Sequence, residues 1–143
     1  VWISTQIDEQ EHYPLYKRYI NTRHADGDMF PPNLNQFRDF IGNLREYSRI
    51  VEIRCGDELI AAGVVDILED GLSAIYTYYS TEPQHKKRSL GTFTILSEIM
   101  LAREMELSYL YLGYWIKDSP KMAYKSNYRP LEILKDRQWT PLV

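Results

Sequence analysis

Lys86-Lys87-Arg88 runs directly into Ser89-Leu90-Gly91 and a long apolar-periodic stretch. If Ser89 caps a helix here, the first four backbone N–H groups of that helix lack internal partners. The helix dipole adds roughly half a positive charge at the same end. Cations beside it cost about 0.3–1 kcal/mol each unless an anion binds there. Glycine in a first helical turn costs up to about 1 kcal/mol against alanine. Gly91 is explained if something must approach the backbone closely. The pattern points to a phosphate-bearing ligand held by Lys86, Lys87, Arg88, Ser89 and Gly91. A solvated basic loop is the alternative.

A second set follows an aromatic run, Tyr109 to Ile116. Lys121 and Lys125 stand four apart, so on a helix they share a face, with Tyr124 between them. Two cations and a phenol suit capture of an anionic group; a surface helix with solvated lysines is the alternative. No Ser/His/Asp or Cys/His arrangement proposes a strong nucleophile. Three histidines and one cysteine, all far apart, offer no zinc spacing, so no metal is expected. Cys55 ends an apolar alternation and reads as a buried structural thiol.

The elements that must position these residues are legible from periodicity. A first helix is expected over Gln10–Thr22 with Pro14 in its first turn. A loop follows with an Asp-Gly turn, Arg23-His24-Ala25-Asp26-Gly27-Asp28-Met29. Asn33 and Gln36 make a capping-box-like start for a second helix, with Leu34, Phe37, Phe40, Ile41 and Leu44 as its buried stripe. Strands over 50–55, 59–68 and 72–79 read as an antiparallel meander whose middle member is central. The long helix is expected over Ser89–Glu106, with Phe93, Leu96, Ile99, Met100 and Ala102 facing the core. A strand over 109–113 runs parallel to the third, because a helix crosses between them. A short helix over 120–127 and a strand pair over 129–135 and 138–142 close the chain.

The length of 143 residues suits one domain over 1–143. The composition, 44% hydrophobic and 26% charged, is that of a globular protein. The net charge of -3 argues against wrapping nucleic acid by charge alone, so any such contact is local or shared with another domain. Twelve tyrosines suit either a half-wet cleft or a Tyr-rich sheet surface. No apolar run reaches the ~20 residues of a membrane span, and no signal-peptide pattern opens the chain. A cytoplasmic location is the expectation. The start at Val1 without Met suggests a fragment or processed product. The order helix-helix-three strands-helix-strand-helix-two strands resembles the N-acetyltransferase fold, an α/β (α+β) class with a mixed, mainly antiparallel sheet flanked by helices. In that fold the strand after the long helix splays from its neighbour and the acyl group lies in the gap.

The strings Tyr109 to Trp115, Lys121-Met122-Ala123-Tyr124-Lys125 and Tyr128-Arg129-Pro130-Leu131-Glu132 resemble the C-terminal domain of arginyl-tRNA–protein transferases. So do Arg23 to Met29 and Ser89-Leu90-Gly91-Thr92. Gly71 to Thr77 and Gly113 to Ile116 look most like the bacterial aspartate/glutamate leucyltransferase branch. The resemblance covers about His12 to Trp139. It implies transfer of an aminoacyl group, leucine in that branch, from aminoacyl-tRNA to proteins with N-terminal Asp or Glu, marking them for N-end-rule degradation. No cofactor is implied beyond the charged tRNA. Arg23, with His24, Lys121 and Lys125, would bind the acceptor's carboxylate. Met29, Tyr78, Tyr114 and Trp115 would line the aminoacyl pocket. Asp26, Asp28 and Tyr124 would serve catalysis, unless the Asp-Gly turn is only structural. The tRNA 3′ end would take the phosphate site at Lys86 to Gly91.

Two departures from the family stand out. The usual cysteine-containing N-terminal domain has no counterpart, so this domain is expected to need that partner for activity. The family's Asp-Pro after the aromatic pair is replaced by Ser80-Thr81-Glu82-Pro83, where Glu82 substitutes only if the loop folds back. An acetyl-CoA-dependent N-acetyltransferase and a non-catalytic recognition module for acidic N-termini remain alternatives.

Overall fold

A computed structural model describes residues 1–142. The chain divides into two compact units, Val1–Tyr111 and the residues from Leu112 onward. The first contains strand β1 (Trp2–Ser4), helix α1 (Glu9–Arg23), helix α2 (Leu34–Phe37) and strands β2 (Ser48–Cys55), β3 (Glu58–Ile67) and β4 (Gly71–Tyr79). Helix α3 (Leu90–Glu104) and strand β5 (Tyr109–Tyr111) complete it. The sheet runs in the order β1-β2-β3-β4-β5, antiparallel except for the parallel β4–β5 pair. The expected meander and crossover are therefore present, and β1 is an addition too short to show a period.

Successive strand residues point to opposite faces, which gives the sheet two apolar sides. Ile50, Ala62, Val64 and Tyr78 pack with Tyr16 and Ile20 of α1 and Phe37 of α2. Val51, Ala61, Val65 and Leu72 pack with Leu90, Leu101 and Ala102 of α3. Helix α1 starts one residue earlier than expected because the Asp8 carboxylate accepts from the Gln10 N–H at 3.0 Å. That places Pro14 in the second turn rather than the first, where its missing N–H costs the helix one hydrogen bond. Asn33 caps α2 as expected, accepting from the Gln36 N–H. The segment then widens into a π-helical turn over Arg38–Gly42, which buries Ile41 and leaves Phe40 exposed.

Helix α3 buries Ala102 as expected but overturns most of the expected core face. Leu90, Thr94, Ile95, Ser97, Glu98, Leu101 and Ala102 are buried, whereas Phe93, Leu96 and Met100 are exposed. A Cβ on Gly63 of β3 would overlap a Glu98 carboxylate oxygen and stand 2.8 Å from Thr94 Cγ2. The hollow left by Gly63 thus admits the polar stripe of α3 against the sheet. Cys55, expected to be buried, is exposed because β2 ends there in the hairpin turn.

The second unit has a 3₁₀ turn over Ala123–Asn127 in place of the expected longer helix. Strands β6 (Glu132–Lys135) and β7 (Gln138–Pro141) form a separate antiparallel hairpin. Among the described residues, no helix is long and apolar enough to cross a membrane.

Candidate functional site

Tyr78 and Tyr79 end β4 with opposite fates, as alternation demands. Tyr78 is wholly buried. Tyr79 lies between the end of α1 and the start of α3. The Arg23 guanidinium carbon is 5.7 Å from its ring centroid, a cation–π distance. The Tyr19 ring sits 4.8 Å away on the same helix, and its hydroxyl lies 2.9 Å from His24 Nε2. A Cβ on Gly91 would meet Tyr79 Cε1 at 3.1 Å. The structure therefore brings Arg23 and Gly91 to one tyrosine, Tyr79, while His24 is held by the neighbouring Tyr19. The sequence reading missed Tyr79's part; the signal was the Tyr-Tyr doublet, whose alternation turns one ring to each side. What approaches the Gly91 backbone is this ring.

The basic run lies on a 3₁₀ turn over Pro83–Arg88. His85 is buried and hydrogen-bonds Ser80 Oγ through Nδ1 at 2.8 Å, which pins the turn. Lys86, Lys87, Arg88 and Ser89 are exposed. Ser89 corrects the capping expectation: its backbone is left-handed (φ 49°, ψ 51°) and its side chain caps nothing. Among the described residues no N-cap side chain bonds the helix start, so its amide dipoles and the neighbouring cations keep the electrostatics of an anion site. Glu82 pairs instead with Arg18 at 2.9 Å. Arg88 Nη1 lies 3.6 Å from Cys55 Sγ.

Among the described residues, strand β5 pairs only with Gly71–Ser73 of β4. From Ala74 to Tyr79 the outer edge of β4 has no strand partner among the described residues. A bulge at Ile75, between the Val65↔Ala74 and Val64↔Tyr76 pairs, bends the strand at that point. An edge without a strand partner offers backbone hydrogen bonds to an extended ligand.

Asp26 and Asp28 are exposed in successive turns closed by Gly27 N–H to His24 O and Phe30 N–H to Gly27 O. Met29 is half-buried, its sulfur 4.0 Å from the Tyr16 hydroxyl. Tyr78 cannot line a pocket: its hydroxyl donates to His12 Nδ1 at 2.7 Å inside the core.

In the second unit, Tyr114 is 76% exposed, and Trp115 is half-buried with no hydrogen-bond partner on Nε1 among the described residues. Lys125 Nζ donates to the Tyr114 carbonyl at 2.7 Å, and desolvation lowers its pKa from the ordinary lysine value. Lys121 and Tyr124 are exposed. Lys121 precedes the 3₁₀ turn, so the shared helical face expected for Lys121 and Lys125 does not form. The sequence-derived site residues thus fall into two sets, one in each unit.

A buried polar network behind Tyr78 escaped the sequence reading. His12 Nε2–H donates to Glu52 Oε1 at 2.7 Å. Glu52 Oε2 accepts from Arg54, which also pairs with Glu11. Burial lowers the His12 pKa, which outweighs the opposing pull of Glu52. Glu11, His12 and Glu52 have ligand atoms within 4.8 Å of one another. Both His12 nitrogens are engaged and Arg54 supplies the counter-charge, so the cluster is an ion-pair network more than a vacant metal cage.

Residues 11–135 match the family described as arginine-tRNA-protein transferase, C terminus. An aspartate/glutamate leucyltransferase of Acinetobacter baylyi is 48% identical over 140 residues, covering 98% of this chain and 51% of that protein. That of Hahella chejuensis is 49% identical over 131 residues, covering 92% and 55%. The chain spans about half the length of these curated relatives. Among solved structures, the ribosomal-protein-S18-alanine N-acetyltransferase of Escherichia coli superposes with a TM-score of 0.60 at 16% identity, over 88% of this chain and 75% of that one. The N-acetyltransferase-like fold is therefore established.

Proposed function

Because the chain belongs to the arginine-tRNA–protein transferase C-terminal family, we propose that it takes part in moving an aminoacyl group, leucine, from tRNA to the α-amino group of proteins that begin with Asp or Glu. The neutral amine attacks the ester carbonyl, a C–N bond forms, and the tRNA 3′-terminal ribose hydroxyl leaves with a proton. An α-amino pKa near 7.7–8.0 leaves roughly a tenth to a fifth of the amine neutral at pH 7, so positioning and modest base help suffice. No cofactor is needed beyond the charged tRNA. Such tagging would mark the acceptor for N-end-rule degradation in the cytoplasm, where charged tRNA is found.

The observation that carries this reading is Tyr79 between Arg23 and Gly91. Its support is a cation suited to the acceptor's carboxylate near a helix start suited to the tRNA phosphates. Arg23, supported by His24, binds the Asp or Glu side chain. Lys86, Lys87 and Arg88 with the amides after Ser89 hold the 3′ end. The bare edge of β4 supports the extended donor. Asp26 or Asp28 takes the amine's proton.

The test incubates the protein, with the partner domain its relatives carry, with leucyl-tRNA or arginyl-tRNA and peptides starting with Asp, Glu or Ala. Leucine transfer to the Asp and Glu peptides is expected. No transfer to any peptide would remove the reading. Saturable CoA binding indifferent to tRNA would favour the second reading, acetyl transfer, for which the uncapped helix start is equally suited. Peptide binding without turnover would favour a recognition module.

A further inference from the structure

The outer face of α3 presents Phe93, Leu96 and Met100 at helical spacing, each between 45% and 51% exposed. With Ser97, Leu101, Val1 and Ile3 they line a groove of about 360 Å³, in which Glu104 is the one charged side chain among the described residues. A contiguous apolar face of this kind marks a surface that something covers.

We infer that this groove seats the part of the family's polypeptide that precedes the C-terminal region. The inference is independent of the reaction proposed above. Three observations select this occupant. The matched relatives carry about as much chain again as the segment they share with this one. The shared segment is the family's C terminus, which places the additional chain ahead of it. Strand β1 borders the groove and Val1 lines it, so a polypeptide entering β1 arrives at the groove's rim. A second copy of this chain is disfavoured because it would oppose two net-negative bodies.

The test places a thiol on the face, Met100→Cys in a Cys55→Ser background, with Lys17→Cys on α1 as the control. Labelling rates are measured for the 143-residue chain and for a fusion in which the unmatched half of the Acinetobacter baylyi relative precedes Val1. The fusion should slow labelling at position 100 at least tenfold and leave position 17 unchanged. Phe93→Cys provides an independent reading of the same face, and Leu96→Asp in the fusion should restore fast labelling. Equal rates at positions 93 and 100 with and without the added half would overturn the inference. So would slowing in the 143-residue chain alone that grows with its concentration, which would assign the face to a second copy.

Discussion

Gly91 and Tyr79 meet where α3 begins, with 3.1 Å between a Cβ built on the glycine and the ring's Cε1. In a helix, alanine should gain up to about 1 kcal/mol over glycine. Here the gain is opposed by a ring that must shift a few tenths of an ångström. Gly91→Ala should therefore leave stability within about 1 kcal/mol of the parent while raising KM for charged tRNA several-fold. Tyr79→Val should remove the conflict, so that the double variant tolerates alanine. Urea midpoints and tRNA titrations on the four proteins of the cycle check this; additive effects would contradict it.

Arg88 lies beside the uncapped start of α3. Arg88→Ala should weaken tRNA binding and reduce the slope of log K against log salt by about 1. A parallel salt plot would show that Arg88 touches no phosphate.

His12 is held neutral by burial, with its pKa below the usual imidazole value. The unfolded chain takes up a proton below pH about 6.5, so it binds more protons there than the native state. Stability should fall as pH drops through that value. His12→Leu should lose this acid slope, while at pH 7.5 it costs on the order of 3 kcal/mol by stranding Tyr78 and Glu52. Denaturation midpoints from pH 5 to 8 measure both effects.

Glu98 titrates in the opposite direction. Desolvation pushes its pKa up to about 8, and among the described residues neither of its oxygens has a hydrogen-bond partner. The native state therefore holds a proton that the unfolded chain releases near pH 4.5. Stability should decline as pH rises from there to about 8, by up to about 1.4 kcal/mol per unit. Glu98→Gln should flatten this decline; an unchanged alkaline slope in urea titrations would refute the assignment.

The meander was readable because its strands alternate and are punctuated by Gly56-Asp57 and Glu69-Asp70-Gly71. The orientation of α3 was not. It has apolar residues on both sides, so periodicity favoured Phe93, Leu96 and Met100 over a face that includes Thr94, Ser97 and Glu98. Only the space above Gly63 decides between them, and that space arises from the partner strand. The basic turn before Ser89 was legible from charge alone. The capping role of Ser89 was not borne out, because its left-handed backbone is set by the turn that His85 anchors. The hydrogen bonds of His12 join residues 40 and 66 positions apart, beyond any local pattern.

The hollow at Gly63 ties two distant codons together. Any side chain there collides with the Glu98 carboxylate and with Thr94 Cγ2, so lineages that fill the hollow must make room at residue 98 as well as at 94. In descendants of this sequence positions 63 and 98 should drift as a pair, and a glycine lost at 63 without a smaller residue at 98 should be rare.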